Sequence, residues 1–161
     1  MRVFNRRDRS TIKRKLKDHF SVNNNFKNQV NVTLTQKQIL NGFPIDNIRS
    51  SQNFKHFKNK LNKKFLGNAY YRHGKSINMI VIREISSNLR HHLHCIFDRP
   101  NHVSFDEFEY HIREIWKSTN YGFDQIHIEN PTEEERRVGW YYYIMKDFDE
   151  NSIDWINTTI Q

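Results

Sequence analysis

The apolar run Ile77, Met79, Ile80, Val81, Ile82, a polar break at Ser86, Ser87 and Asn88, and a second run from Leu89 to Phe97 constrain this chain most. Two β-rich segments of this length bounded by turn residues predict a hairpin of buried strands. Upstream, Gln29 to Thr35 alternates around Val30, Val32 and Leu34, a further strand whose apolar face carries the even numbers. Ile48, Phe54, Phe57, Leu61 and Phe65 recur at helical spacing with Lys between them, which predicts an amphipathic helix over roughly 49 to 66, ending at Gly67.

Past Pro100, Ser104 and Glu107 form a capping box for a helix that turns Phe108, Ile112, Ile115 and Trp116 inward and stops at Gly122. Phe123 to Ile128 reads as a short strand. Pro131 and the acidic Glu133, Glu134 and Glu135 open a last helix running to about Lys146. The tail around Trp155 is one more turn or a loose end. The order β, α, β, β, α, β, α, without internal repeat, predicts an α+β fold: a ferredoxin-like (RRM-like) antiparallel sheet with helices packed on it and a tyrosine-bearing helix at the C-terminal end.

Composition narrows the class. A chain of 161 residues and 19.7 kDa is one domain's length, and aromatics at 14% give a core its bulk although apolar residues are only 36%. No window approaches eighteen apolar residues and the basic N-terminus has no apolar stretch behind it, so neither a membrane span nor a secretory signal is expected. The single Cys95 rules out an internal disulfide and favours a reducing, intracellular setting. Residues 1–75 carry 18 Lys and Arg against 3 acids, hence +15, whereas residues 76–161 carry 8 against 15, hence −7. The basic half points to a polyanion. Residues 1–28 read as a basic arm, with Lys13, Arg14, Lys15 and Lys17 and an Asn23, Asn24, Asn25 run. Lys55, Lys58, Lys60, Lys63 and Lys64, interleaved with Phe54, Phe57 and Phe65, are the candidate nucleic-acid contacts.

Strand alternation sorts the histidines of the hairpin. His92 and His94 share one face, and His91 points the other way with Leu93 and Cys95. A hairpin centred on Asn88 sets Glu84 opposite His92, with Cβ atoms roughly 5 Å apart. Two imidazoles and a carboxylate then converge, a donor set suited to Mg²⁺ or Mn²⁺ and compatible with Zn²⁺. In the last helix Tyr141, Tyr142 and Tyr143 cannot all face the core, and Tyr143 lies beside Lys146 three residues on, so that a phenol and an ammonium can address one phosphate. Either motif alone is cheap in a chain with 9 His and 7 Tyr; a pair of sheet-surface histidines and an aromatic packing helix are the plain readings.

Taken in order, Val32-Thr33-Leu34-Thr35, His92-Leu93-His94 and Tyr143-Ile144-Met145-Lys146 resemble the three motifs of the HUH endonucleases of the rolling-circle replication initiator type. The resemblance spans roughly residues 29–147. It implies a Thr-Leu-Thr strand of structural importance, a divalent metal (Mn²⁺ or Mg²⁺) held by His92, His94 and an upstream acid matched by Glu84, a nucleophilic Tyr143 and a phosphate-orienting Lys146. It further implies site-specific nicking and joining of single-stranded or hairpin origin DNA through a 5′-phosphotyrosine, in a domain over 29–161 with no helicase domain. The implied setting is the cytoplasm of a prokaryotic host carrying a virus or plasmid, with host replication machinery as partner, no membrane, and a homodimer left open. Only spacing separates Tyr143 from Tyr142. A single-tyrosine transposase of the same superfamily, or a non-catalytic module gripping single-stranded nucleic acid by stacking and charge, are the alternatives.

Overall fold

The computed structural model describes residues 14, 18, 26–86, 90–146 and 152–161. Most of the expected basic arm, including Lys13, Lys15, Lys17 and the Asn run, lies outside the described residues, as does the hairpin turn at Ser87, Asn88 and Leu89.

Four antiparallel strands form the sheet: β1 (Gln29–Gln36), β4 (Met79–Ile85), β5 (His91–Asp98) and β6 (Gly122–Glu129), in the order β4-β5-β1-β6. Between β1 and the first long helix, β2 (Ile39–Leu40) and β3 (Phe43–Pro44) make a small hairpin that the sequence reading treats only as a break. Helix α1 (Asn47–Leu66) starts two residues earlier than expected because Asp46 caps it, accepting from the Arg49 amide at 2.7 Å. A short α2 (Asn68–His73), not foreseen in the sequence, follows Gly67. Helix α3 (Phe105–Lys117) is capped as expected by Ser104, whose hydroxyl accepts from the Glu107 amide at 3.2 Å.

The period of two in the strands decides which helices cover which face. Val30, Val32, Leu34, Met79, Val81, Leu93, Cys95 and Phe97 form one core with Phe54, Phe57, Leu61 and Phe65 of α1 and Phe108, Ile112 and Trp116 of α3. Its rings interlock, with Phe57 edge-on to Trp116 at 5.4 Å and stacked on Phe97 at 6.2 Å. Gly122 joins α3 to β6 at a point where a Cβ would lie 1.8 Å from the Trp116 carbonyl oxygen, so only glycine fits.

The opposite face carries a smaller core. Ile80, Ile82 and Ile96 pack with Phe26, Ile153 and the Tyr141, Ile144, Met145 stripe of α4 (Glu134–Ile144). This helix begins three residues after Pro131 and ends before Lys146, shorter at both ends than its sequence suggests. Its anchors are polar: Trp140 Nε1 donates to the Cys95 carbonyl at 3.3 Å, Arg137 donates to the Phe26 carbonyl at 2.6 Å, and Gln29 donates to the Arg137 carbonyl at 3.1 Å.

The tail makes the expected turn at 155–157, closed by the Asn157 and Thr158 amides on the Asp154 carbonyl, and it is not loose. It runs along the outer edge of β4, exchanging backbone hydrogen bonds at Met79 with Thr159, Arg83 with Ser152 and Val81 with Asp154. Capping an open edge satisfies its backbone groups. Asp154, 1% exposed, fastens it by accepting from Ser51 Oγ at 3.1 Å and Asn157 Nδ2 at 2.8 Å and lying 3.5 Å from Arg83.

Candidate active site

The hairpin register is the one expected from a turn centred on Asn88: Glu84 pairs with His92, and Ile82 with His94. On the other side of β5, β1 sets Thr35 against His92 and Thr33 against His94. All of these side chains rise from the face that α4 only partly covers. They open into a cleft of about 420 Å³ lined by Thr33, Glu84, Ser86, His92, His94, His127, Trp140 and Tyr143.

Each imidazole is held by a threonine. Thr33 Oγ1 lies 3.0 Å from His94 Nδ1 and Thr35 Oγ1 lies 3.4 Å from His92 Nδ1. A hydroxyl both donates and accepts, so it serves either tautomer of its partner ring. His94 Nε2 lies 2.5 Å from Glu84 Oε2. With Nε2–H donating to that carboxylate, the Thr33 hydroxyl donates to Nδ1; with the proton on Nδ1, the roles reverse and the Nε2 lone pair is released. The Thr-Leu-Thr strand is therefore a chemical part of the cleft, while Leu34 between the hydroxyls is buried in the opposite core.

Burial lowers the pKa of both histidines below the ordinary imidazole value, against the opposing pull of the Glu84 carboxylate. Burial thus favours the neutral ring, the form a metal ligand needs.

The three tyrosines of α4 are sorted by the turn of the helix. Tyr141 points into the core, 5% exposed, and burial raises its pKa to about 12. Tyr142 is exposed and lines a different depression with Glu134, Glu135, Val138 and Gly139. Tyr143 faces the cleft, 44% exposed, stacked on Trp140 at 5.1 Å and edge-on to His94 at 5.4 Å between ring centres. Lys146, beyond the helix end, places Nζ 4.5 Å from the centre of the Tyr143 ring and 3.6 Å from Glu84 Oε1. The ammonium thus bridges phenol and carboxylate.

The lysines of α1 stand apart from this cleft, because α1 packs on the other face of the sheet. Lys58 is turned inward, donating to the Asn157 carbonyl at 2.9 Å and the Thr159 hydroxyl at 2.5 Å, and desolvation lowers its pKa. Lys60 donates to Ser118 Oγ, Lys63 lies over the Tyr71 ring, and Lys55 lines a separate hollow with Gln52, Arg83 and Ile156. Lys64 is exposed in the last turn. Glu84, His92, His94, Tyr143 and Lys146 are brought together; Lys55, Lys58, Lys60, Lys63 and Lys64 are not brought to them.

Sequence reasoning missed His127, which joins the cleft because β6 pairs with β1 and sets His127 beside Thr33. Its even neighbours in β6 point elsewhere, but no local signal names β1 as the partner strand. Trp140 was likewise visible only as one ring among four.

Donor type and orientation suit a divalent metal: two imidazoles whose Nδ1 atoms are engaged and a carboxylate on the same face. Among the described residues, however, no three such groups stand close enough together to hold an ion as placed. The His94–Glu84 contact of 2.5 Å is also tighter than the roughly 3 Å between neighbouring ligands of one ion bound at about 2.1 Å, so binding requires that contact to open. No protein-family model matches the chain, and searches of curated proteins and of solved structures return no match.

Proposed function

We propose that this protein is a metal-dependent endonuclease that nicks and rejoins single-stranded DNA through a covalent 5′-phosphotyrosine, of the kind that initiates rolling-circle replication. One observation carries the reading: Tyr143, Lys146, Glu84, His92 and His94, drawn from three separate elements, meet at one open cleft. The element order and the strand order β4-β5-β1-β6 support a ferredoxin-like sheet, and the placement of the motifs on strand, strand and helix supports the likeness to HUH initiators.

His92, His94 and Glu84 would hold the ion, which when bound polarises the scissile phosphate as a Lewis acid. The chain's own groups do the rest. The Tyr143 oxygen attacks phosphorus as its proton leaves; the bond from phosphorus to O3′ breaks, and O3′ takes up a proton. One phosphodiester is exchanged for another, so the step reverses when a 3′-OH returns. A free phenol, with its pKa near 10, is a poor nucleophile at pH 7. The Lys146 ammonium beside the ring offsets the phenolate charge as it forms. Trp140, stacked on Tyr143, limits the ring's motion, and the two threonines fix the imidazoles.

The testing experiment incubates the protein and Mn²⁺ with end-labelled single-stranded oligonucleotides of hairpin-forming origin type. A labelled species that migrates with the protein under denaturing conditions and disappears in Tyr143→Phe is expected. A non-catalytic grip on nucleic acid predicts binding without any such adduct.

A further inference from the structure

A second cleft, of about 210 Å³, opens where β1 leaves the sheet and β5 and β6 enter it. We propose that this cleft, lined by Gln36, Lys37, Arg90 and Phe123, holds one nucleotide of the single strand, its base against the Phe123 ring and its phosphate between Lys37 and Arg90. The assignment rests on the single-stranded substrate proposed above and gives it a path.

Three observations converge on it. The charged lining is cationic, Lys37 and Arg90, which suits a phosphate. Phe123 is a large apolar ring left 44% exposed at the same place, and a ring beside cations is the pairing that holds single-stranded bases without regard to sequence. Finally, Thr35 lines this cleft and its hydroxyl contacts His92, so the two clefts share a wall.

This changes where the DNA runs. The lysine-rich stretch of α1 lies on the far face of the sheet, whereas Lys37 and Arg90 adjoin the cleft that holds the histidines. A strand seated on Phe123 passes directly to the reacting groups.

The test is equilibrium binding, by fluorescence anisotropy, of a 5′-fluorescein-labelled ten-nucleotide oligo-dT without added metal. Phe123→Ala should weaken binding roughly 5- to 100-fold, the range expected for loss of one stacked base. Phe123→Trp should keep it, and Phe123→Leu, which retains apolar bulk without the ring, should behave like the alanine variant. The pair Lys37→Ala with Arg90→Ala should reduce the slope of log affinity against log salt by about 0.7, the contribution of the one phosphate they hold. Parental affinity in Phe123→Ala and Phe123→Leu together with a parental salt slope in the double variant would overturn the proposal, more so if Lys55→Ala with Lys64→Ala abolishes binding instead. The outcomes separate from those of the nicking reading: the predicted binding losses without an adduct from any substrate leave this subsite standing and remove the nuclease, whereas an adduct formed with unchanged affinity in these variants does the reverse.

Discussion

Thr33 Oγ1 stands 3.0 Å from His94 Nδ1, across the β1–β5 ladder that pairs the two residues. The bond ties the ring's orientation to the sheet and leaves Nε2 facing Glu84 and the cleft. Thr33→Val keeps shape and removes the hydroxyl, so the fold should persist while the Mn²⁺ concentration needed for half-maximal adduct formation rises about 10- to 100-fold, as for the loss of other groups that orient metal ligands. Thr35→Val should act in the same direction on His92 and, from its longer contact, less strongly. An unchanged Mn²⁺ requirement in both variants would remove the threonines from the site.

Tyr143 and Tyr142 are separated by one turn position and by their surroundings, the first against His94 and Trp140, the second in a different depression. Tyr143→Phe should abolish the covalent adduct and leave oligonucleotide binding intact, whereas Tyr142→Phe should retain it. Peptide mapping of the adduct decides the matter independently: a phosphorylated tyrosine at 142 contradicts the assignment.

Lys146 Nζ approaches both the Tyr143 ring and Glu84. Removing a positioned charge of this kind lowers the chemical step by roughly 10²–10³-fold. Lys146→Met should therefore slow single-turnover adduct formation by that order while affinity for DNA changes little; equal losses in rate and affinity would make it a simple DNA contact.

His94 is buried with a lowered pKa, so the unfolded chain binds a proton more readily than the folded one. The contribution is constant above the ordinary imidazole pKa of about 6.5 and is lost as pH falls from there towards the lowered folded value. Urea midpoints measured from pH 7.5 down to 5 should fall for the parent, and less steeply for His94→Gln. Parallel curves would show that the ring does not titrate with folding.

Asp154 holds the tail to β4 and α1 through Ser51, Asn157 and Arg83. Asp154→Ala removes the carboxylate that faces the Arg83 charge and accepts from Ser51 Oγ and from the side-chain and backbone amides of Asn157, and should destabilise the fold by about 3 kcal/mol. A urea denaturation midpoint within error of the parent would show the tail to be dispensable.

Alternation and helical spacing sufficed for much of the framework. Val30, Val32 and Leu34 face a core, Glu84 meets His92, and Phe54, Phe57, Leu61 and Phe65 lie on one side of their helix because periods of 2.0 and 3.6 are local properties of the backbone. The tail escaped the same reading, since its fastening depends on an edge and a carboxylate more than fifty residues from their partners. The short hairpin before α1 and the helix α2 have too few residues to leave a period.

What the residues determined alone was which side chains share a face: His92 with His94, and Phe54, Phe57, Leu61 and Phe65 of α1 on one side with Lys55, Lys60, Lys63 and Lys64 exposed. Which face α4 covers, that β1 and β6 lie beside β5, and hence that Thr33, His127 and Tyr143 surround the histidines while the α1 lysines lie behind the sheet, was decided only by tertiary packing. The physical reason is that each element carries its own stripe of apolar side chains, but burial is non-directional and does not name the stripe it will meet.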